Sequence, residues 1–108
     1  MAQACRAKRI INLHRTGMDA CQSGDLDGAV GKLRTALREV RKIGLQCYQA
    51  KIMNNLGIVF ELKGEPLEAR DHYQAALEMA QDKLGGNAVL CQVMEENLER
   101  VSRQITIH

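Results

Sequence analysis

Three side chains able to hold a soft metal fall on one helical face. His14, Met18 and Cys21 stand at i, i+4 and i+7, the spacing of a single stripe along an α-helix. Imidazole, thioether and thiolate are ligands that suit Cu(I). One helix seldom closes a site by itself, and no second cluster joins these three, so they read as groove or core residues and no metal or cofactor is expected. A Cys–His nucleophile pair would need Cys91 beside His72 with a third group to orient them, and nothing in their placement brings that about. Phosphate-binding loops, dinucleotide fingerprints and nucleophile elbows are missing, so catalysis is not expected. Arg34, Arg38, Arg41 and Lys42 form a basic stripe. Stacking aromatics and groove-reading motifs do not accompany it, and the isoelectric point of about 8.4 is low for a dedicated nucleic-acid binder.

The remaining cysteines add no framework. Cys5, Cys21, Cys47 and Cys91 are never closer than 16 positions, which excludes C-x-x-C and zinc-ribbon spacing. They read as small apolar residues in a reducing compartment, the cytoplasm. The basic start Met1 to Arg9 leads into Ile10-Ile11-Asn12-Leu13, too short for the apolar part of a signal peptide. No apolar run nears the roughly 20 residues that span a bilayer, so no membrane contact is expected.

The elements that would position any site follow from composition and spacing. At 108 residues the chain has room for one small domain, spanning 1–108. Apolar residues make up 45% but aromatics only 3%, so the core must be aliphatic and rich in Ala. Abundant Ala, Leu, Gln, Glu, Arg and Lys favour helix over strand, and the expected class is all-α. Residues 1–44 hold nine basic residues against four acids and residues 45–108 six against nine. Such asymmetry either steers association, head-to-tail or with an acidic partner, or is simply a solvated face.

Shifting the chain by 40 residues aligns Gly17 with Gly57, Gly24 with Gly64, Ala29 with Ala69, Ala36 with Ala76 and Leu37 with Leu77. Each copy then reads as two helices, repeat 1 over about 8–44 and repeat 2 over about 46–85. Ile52, Leu56, Val59 and Phe60 form an amphipathic stripe; Gly64-Glu65-Pro66 breaks it, with Pro66 suited to a first helical turn. In the first copy Gly24-Asp25 makes the turn, Asp25 being a good N-cap, and the second helix stops near Gly44. Gly85-Gly86-Asn87 ends the second copy. A terminal helix over about 88–105, through Val89, Val93, Met94, Leu98, Val101 and Ile105, caps the stack. Gly17 and Gly57 fall mid-helix, where glycine costs about 1 kcal/mol relative to alanine. Their recurrence points to close backbone approach, with Ala29, Ala36, Ala69 and Ala76 facing the neighbouring helix and Leu33 or Tyr73 filling the wider gap.

Those residues resemble the tetratricopeptide repeat. Met53-x-x-Leu56-Gly57-x-x-Phe60, Gly64 and Ala69-x-x-x-Tyr73-x-x-Ala76 are similar to the family pattern W-x-x-L-G-x-x-Y…A-x-x-x-F; Thr16-Gly17-x-x-Ala20, Gly24 and Ala29-x-x-x-Leu33-x-x-Ala36 match it more loosely. Met53 replaces the Trp, and the period is 40 rather than 34. The longer period, Asn54-Asn55-Leu56-Gly57 and Lys83-Leu84-Gly85 resemble the long repeats of kinesin light chains and spindle-orientation adaptors. Glu96-Asn97-Leu98 echoes Asn54-Asn55-Leu56, which makes the last helix look like the first half of a third repeat.

The resemblance implies a right-handed α-solenoid with a concave groove, lined by the first helix of each repeat, that binds a peptide or helix of another protein. It places Lys51, Asn54, Ile58, Glu61 and Leu62 on the groove side of repeat 2. In repeat 1 it places Ile11, His14, Arg15, Met18, Cys21 and Gln22 there, and in the last helix Val93, Glu96, Arg100 and Arg103. Asn54, Asn55 and Asn97 either clamp a ligand backbone, donating and accepting at once, or only make inter-helix and capping bonds. Met18, Ile58 and Leu62 either form an exposed apolar patch or are covered by the terminal helix. Two other functions remain open: an assembly chaperone, and a homodimer formed through the unfinished end of the stack. Gly17, Gly24, Leu56, Gly57, Phe60, Gly64 and Tyr73 are assigned, with the four alanines, to packing.

Overall fold

In the computed structural model of the protein, residues 2–83, 85 and 88–107 are described. All regular structure among them is α-helix: α1 (Ala2–Gln22), α2 (Leu26–Ile43), α3 (Gln46–Leu62), α4 (Pro66–Lys83) and α5 (Ala88–Ile107). Each helix packs on the next, and α1 also touches α3. The molecule measures 50 × 34 × 18 Å. Since a helix with side chains is about 10–12 Å across, the short dimension fits two layers, first helices α1, α3 and α5 against second helices α2 and α4.

The 40-residue repeat extends to the hydrogen bonds of the turns. Ser23 N–H donates to Asp19 O and Lys63 N–H to Val59 O; Gly24 N–H donates to Cys21 O and Gly64 N–H to Glu61 O; Asp25 N–H donates to Ala20 O and Glu65 N–H to Phe60 O. Gly24 and Gly64 hold φ of 89° and 78°, the left-handed region that side chains disfavour. Both are exposed, and an added Cβ at either would meet no atom within 4 Å. What they supply is therefore backbone conformation, which corrects the expectation that they pack. Asp25 caps α2, its carboxylate accepting from Gly28 N–H at 3.0 Å, and Gly44 closes α2 in the left-handed conformation. Gly85 also has positive φ, 68°; Leu84, Gly86 and Asn87, read in or beside the α4 stop, lie outside the described residues.

The core is a seam between the layers. Ala29, Ala36, Ala69 and Ala76 have no exposed surface, and Leu33, Leu56 and Tyr73 are buried with them, Phe60 nearly so. An added Cβ on Gly57 would lie 2.5 Å from Tyr73 Cε1, and one on Gly17 would lie 3.1 Å from Leu33 Cγ. Thus Gly17 and Gly57 are each the seat of one large side chain from the second helix of their own hairpin. The expectation of bare backbone approach is refined: Leu33 and Tyr73 fill the space that the glycines themselves leave. No described helix is long and apolar enough to cross a membrane.

Candidate functional site

The first helices are cross-linked by polar pairs, and these decide which side chains remain available. His14 of α1 sits between two residues of α3. Asn55 Nδ2 donates to His14 Nε2 at 2.5 Å, which leaves Nδ1–H to donate to the Tyr48 hydroxyl at 2.8 Å. The His14 and Tyr48 rings also meet edge to face, centroids 5.1 Å apart. Burial, and then the Lys51 ammonium, hold His14 below its ordinary pKa, so the neutral ring that this arrangement needs is favoured. One step along the stack, Asn97 Nδ2 of α5 donates to Asn54 Oδ1 of α3 at 3.0 Å. Both residues are buried. Of the three asparagines, Asn54 and Asn97 are thus taken up by an inter-helix bond. Asn55, half-buried, keeps a carbonyl oxygen with no protein partner among the described residues.

A second polar knot surrounds Glu61. Its carboxylate accepts from the Tyr73 hydroxyl at 2.8 Å, from Arg100 Nε and Nη2 at 2.9 and 2.8 Å, and from Gln104 Nε2 at 2.9 Å. The Arg100 hydrogen bonds hold Glu61 below its usual pKa, against the opposing effect of burial. Burial, and then the bond to Glu61, push the Tyr73 phenol up. Glu61 and Arg100, placed on the groove side from the sequence, therefore engage each other and tie α5 to α3 and α4. Tyr48 and Gln104, not singled out from the sequence, complete these two knots.

What stays open is a face with one register. Ile11, Arg15, Met18 and Gln22 on α1 match Lys51, Asn55, Ile58 and Leu62 on α3, each set spaced 4, 3 and 4. Val93 continues it on α5, where Arg100 and Gln104, in the Ile58 and Leu62 positions, are engaged by Glu61. Ile11, Leu62 and Val93 are 53%, 61% and 44% exposed, while Met18 and Ile58 are half-buried. The terminal helix lies beside α3 and on α4, so it does not cover Leu62.

The other candidate residues have separate surroundings. Both ring nitrogens of His14 are engaged and burial raises the Cys21 thiol pKa, so the His14, Met18, Cys21 stripe is not arranged for ligation. His72 Nδ1–H donates to Glu68 O at 2.8 Å and its ring stacks on Phe60 at 5.0 Å, while Cys91 is buried in α5. In the basic stripe, the Arg34 guanidinium lies 5.5 Å above the Phe60 ring and Lys42 pairs with Glu39 at 3.7 Å. Glu96 and Arg103 are exposed, Arg103 bonded to Glu99.

A protein-family model described as tetratricopeptide repeat matches residues 9–87. No curated protein matches the chain.

Proposed function

Given that the chain belongs to the tetratricopeptide repeat family, whose repeats mediate protein–protein interaction, we propose that it binds a peptide or helix of a partner protein on the face formed by α1, α3 and α5. The observation that carries this reading is the shared register of Ile11, Met18, Ile58, Leu62 and Val93 across the three first helices. Apolar side chains so aligned on rigid helices offer anchors without an ordering cost to the receptor. Asn55 supplies a free carbonyl oxygen for a ligand backbone N–H, and Lys51 and Arg15 supply charge at the α1 side. Asn54, Asn97, Glu61 and Arg100 act by fixing the spacing of the helices. The family is typically a non-enzymatic scaffold, and the same role is proposed here. The four free thiols support a reducing, cytoplasmic setting.

The test is selection of peptides from a displayed random library on the immobilised protein, followed by calorimetry. The double variant Ile58→Glu, Leu62→Glu should lose at least about 10-fold in affinity for a selected peptide, since two apolar anchors each contribute on the order of 1 kcal/mol or more. Unchanged affinity in a variant with wild-type helical circular dichroism would remove the face from the proposal.

A further inference from the structure

The first helices are joined by a rule that the outer helices leave unfinished. His14 of α1 sits between Tyr48 and Asn55 of α3. One repeat along, Asn54, which corresponds to His14, bonds Asn97, which corresponds to Asn55. In α5 the residue in the His14 position is Glu96, and in α1 the residues in the Tyr48 and Asn55 positions are Lys8 and Arg15. All three are exposed. Among the described residues Glu96 accepts only from Gln92 of its own helix, Arg15 donates only to Asn12 of its own helix, and none forms an ion pair with Glu96, Lys8 or Arg15.

We infer that a second copy of this chain docks head-to-tail, with Glu96 of one copy seated between Lys8 and Arg15 of the next as His14 is seated between Tyr48 and Asn55. Two further observations favour this occupant. Val89 and Val93, on the Glu96 face of α5, are 75% and 44% exposed, and Ile11, between Lys8 and Arg15, is 53% exposed. Cys5, Lys8, Arg9, Ile11, Asn12 and Arg15 line an open, shallow surface on that side of α1. A carboxylate and valines therefore meet two cations and an isoleucine. The contact is heterologous, so it generates open chains or, where the rotation closes, rings, and not an isologous pair. Within one chain, α2 and α4 carry most of the packing onto the next first helix. No such helix intervenes between α5 and the next α1, so the joint is weak and depends on its charges.

Sedimentation equilibrium on the 108-residue chain from low to high micromolar concentration tests this. The mass average should climb without a plateau at the dimer, and added salt should reverse the climb. Lys8→Glu, Arg15→Glu in one variant and Glu96→Arg in another should each stay monomeric when alone. An equimolar mixture of the two should associate again, because both kinds of joint in it pair opposite charges. The variant Ile58→Glu, Leu62→Glu should associate as the wild type does, because neither residue belongs to the edge, whereas Ile11, Arg15 and Val93 are shared by the edge and the peptide-binding face. A monomeric mass at every concentration overturns the proposal. So does a plateau at the dimer, association that persists in both charge variants, or a mixture that stays monomeric.

Discussion

The two hairpins are built on one plan and loaded differently. Their turns repeat bond for bond, and their alanines are equally buried. The seat on the mid-helix glycine differs: Leu33 rests near Gly17, whereas the Tyr73 ring lies against Gly57. Tyr73 also carries a hydroxyl beyond the apolar seam, and that hydroxyl holds Glu61, which in turn holds Arg100 and Gln104 of α5. The position matching Glu61 in the first hairpin is Cys21, a buried thiol. The same packing solution thus closes a hairpin in one copy and, with one polar atom added, anchors a further helix in the other.

Gly57→Ala should cost the second hairpin most. The new methyl would overlap the Tyr73 ring, which is wedged among fully buried neighbours and bonded at its tip. Overpacking of this kind costs about 1–3 kcal/mol, and the gain of about 1 kcal/mol from better helix propensity offsets only part of it. Urea denaturation should show a net loss of stability and a weaker hold on α5. A midpoint at or above that of the wild type would show that Tyr73 moves aside freely.

Glu61→Gln removes the charge of that anchor and keeps its shape. The bidentate Arg100 ion pair becomes at most a single bond from a cation to a neutral amide oxygen, a loss of about 1–2 kcal/mol, toward the low end because Arg100 is 45% exposed at its side chain and solvent screens the pair. Its pH dependence has a definite sign. Glu61 is held below its ordinary pKa, so its contribution is complete above the unfolded carboxyl value and is lost as pH falls through the folded one. Stability of the wild type should therefore decline on acidification below about pH 4.3, and Glu61→Gln should reduce that decline. Hydrogen exchange should find the α5 amides opening first in the variant; protection lost equally in α1 would contradict the anchoring role.

The two inter-helix rungs offer a smaller contrast. The Asn54–Asn97 rung cannot titrate, whereas the rung at His14 needs a neutral ring to accept from Asn55. The folded pKa of His14 is lowered, so the unfolded chain binds more protons at mildly acid pH. The His14 contribution should be constant above about pH 6.5 and should fall as pH drops from there through the folded pKa, levelling off below it. His14→Gln should flatten that window. An unchanged slope in the variant would assign it elsewhere.

What could be read from the sequence was the part set by volume. Glycine seats and alanine seams must recur wherever helices approach closely, so Gly17/Gly57 and Ala29/Ala69 show the plan by spacing alone. The polar rungs were harder to see because neighbouring residues differ by about 100° around a helix. Asn54 and Asn55 look alike in the chain, yet one is buried against α5 and the other faces His14. Tyr48 and Gln104 carry no local signal of their role, because their partners lie 34 and 43 positions away. Tyr48 stands two turns before Asn55 on the same stripe, and that was the available signal. Glu61 and Arg100 were recognised as polar residues of the right helices, but their mutual pairing depends on how α5 lies.

Gly17→Ala has the smallest expected effect and is the cleanest internal control. Its new methyl would stand 3.1 and 3.2 Å from Leu33 Cγ and Cδ2 and 3.3 Å from Lys32 Cβ, tight but short of overlap. Leu33 has no bond at its tip, so a shift of a few tenths of an ångström relieves the contact. The cost is then set against a helix-propensity gain of about 1 kcal/mol, and the net change should fall within about 1 kcal/mol of zero. The difference between Gly17→Ala and Gly57→Ala in urea midpoint isolates what a bonded tyrosine adds to a leucine as the occupant of the same seat. Replacing Tyr73 by Leu in the Gly57→Ala background should bring the second hairpin close to the first. If the two alanine variants lose stability equally from the start, the hydroxyl tether contributes nothing to holding Tyr73 against Gly57.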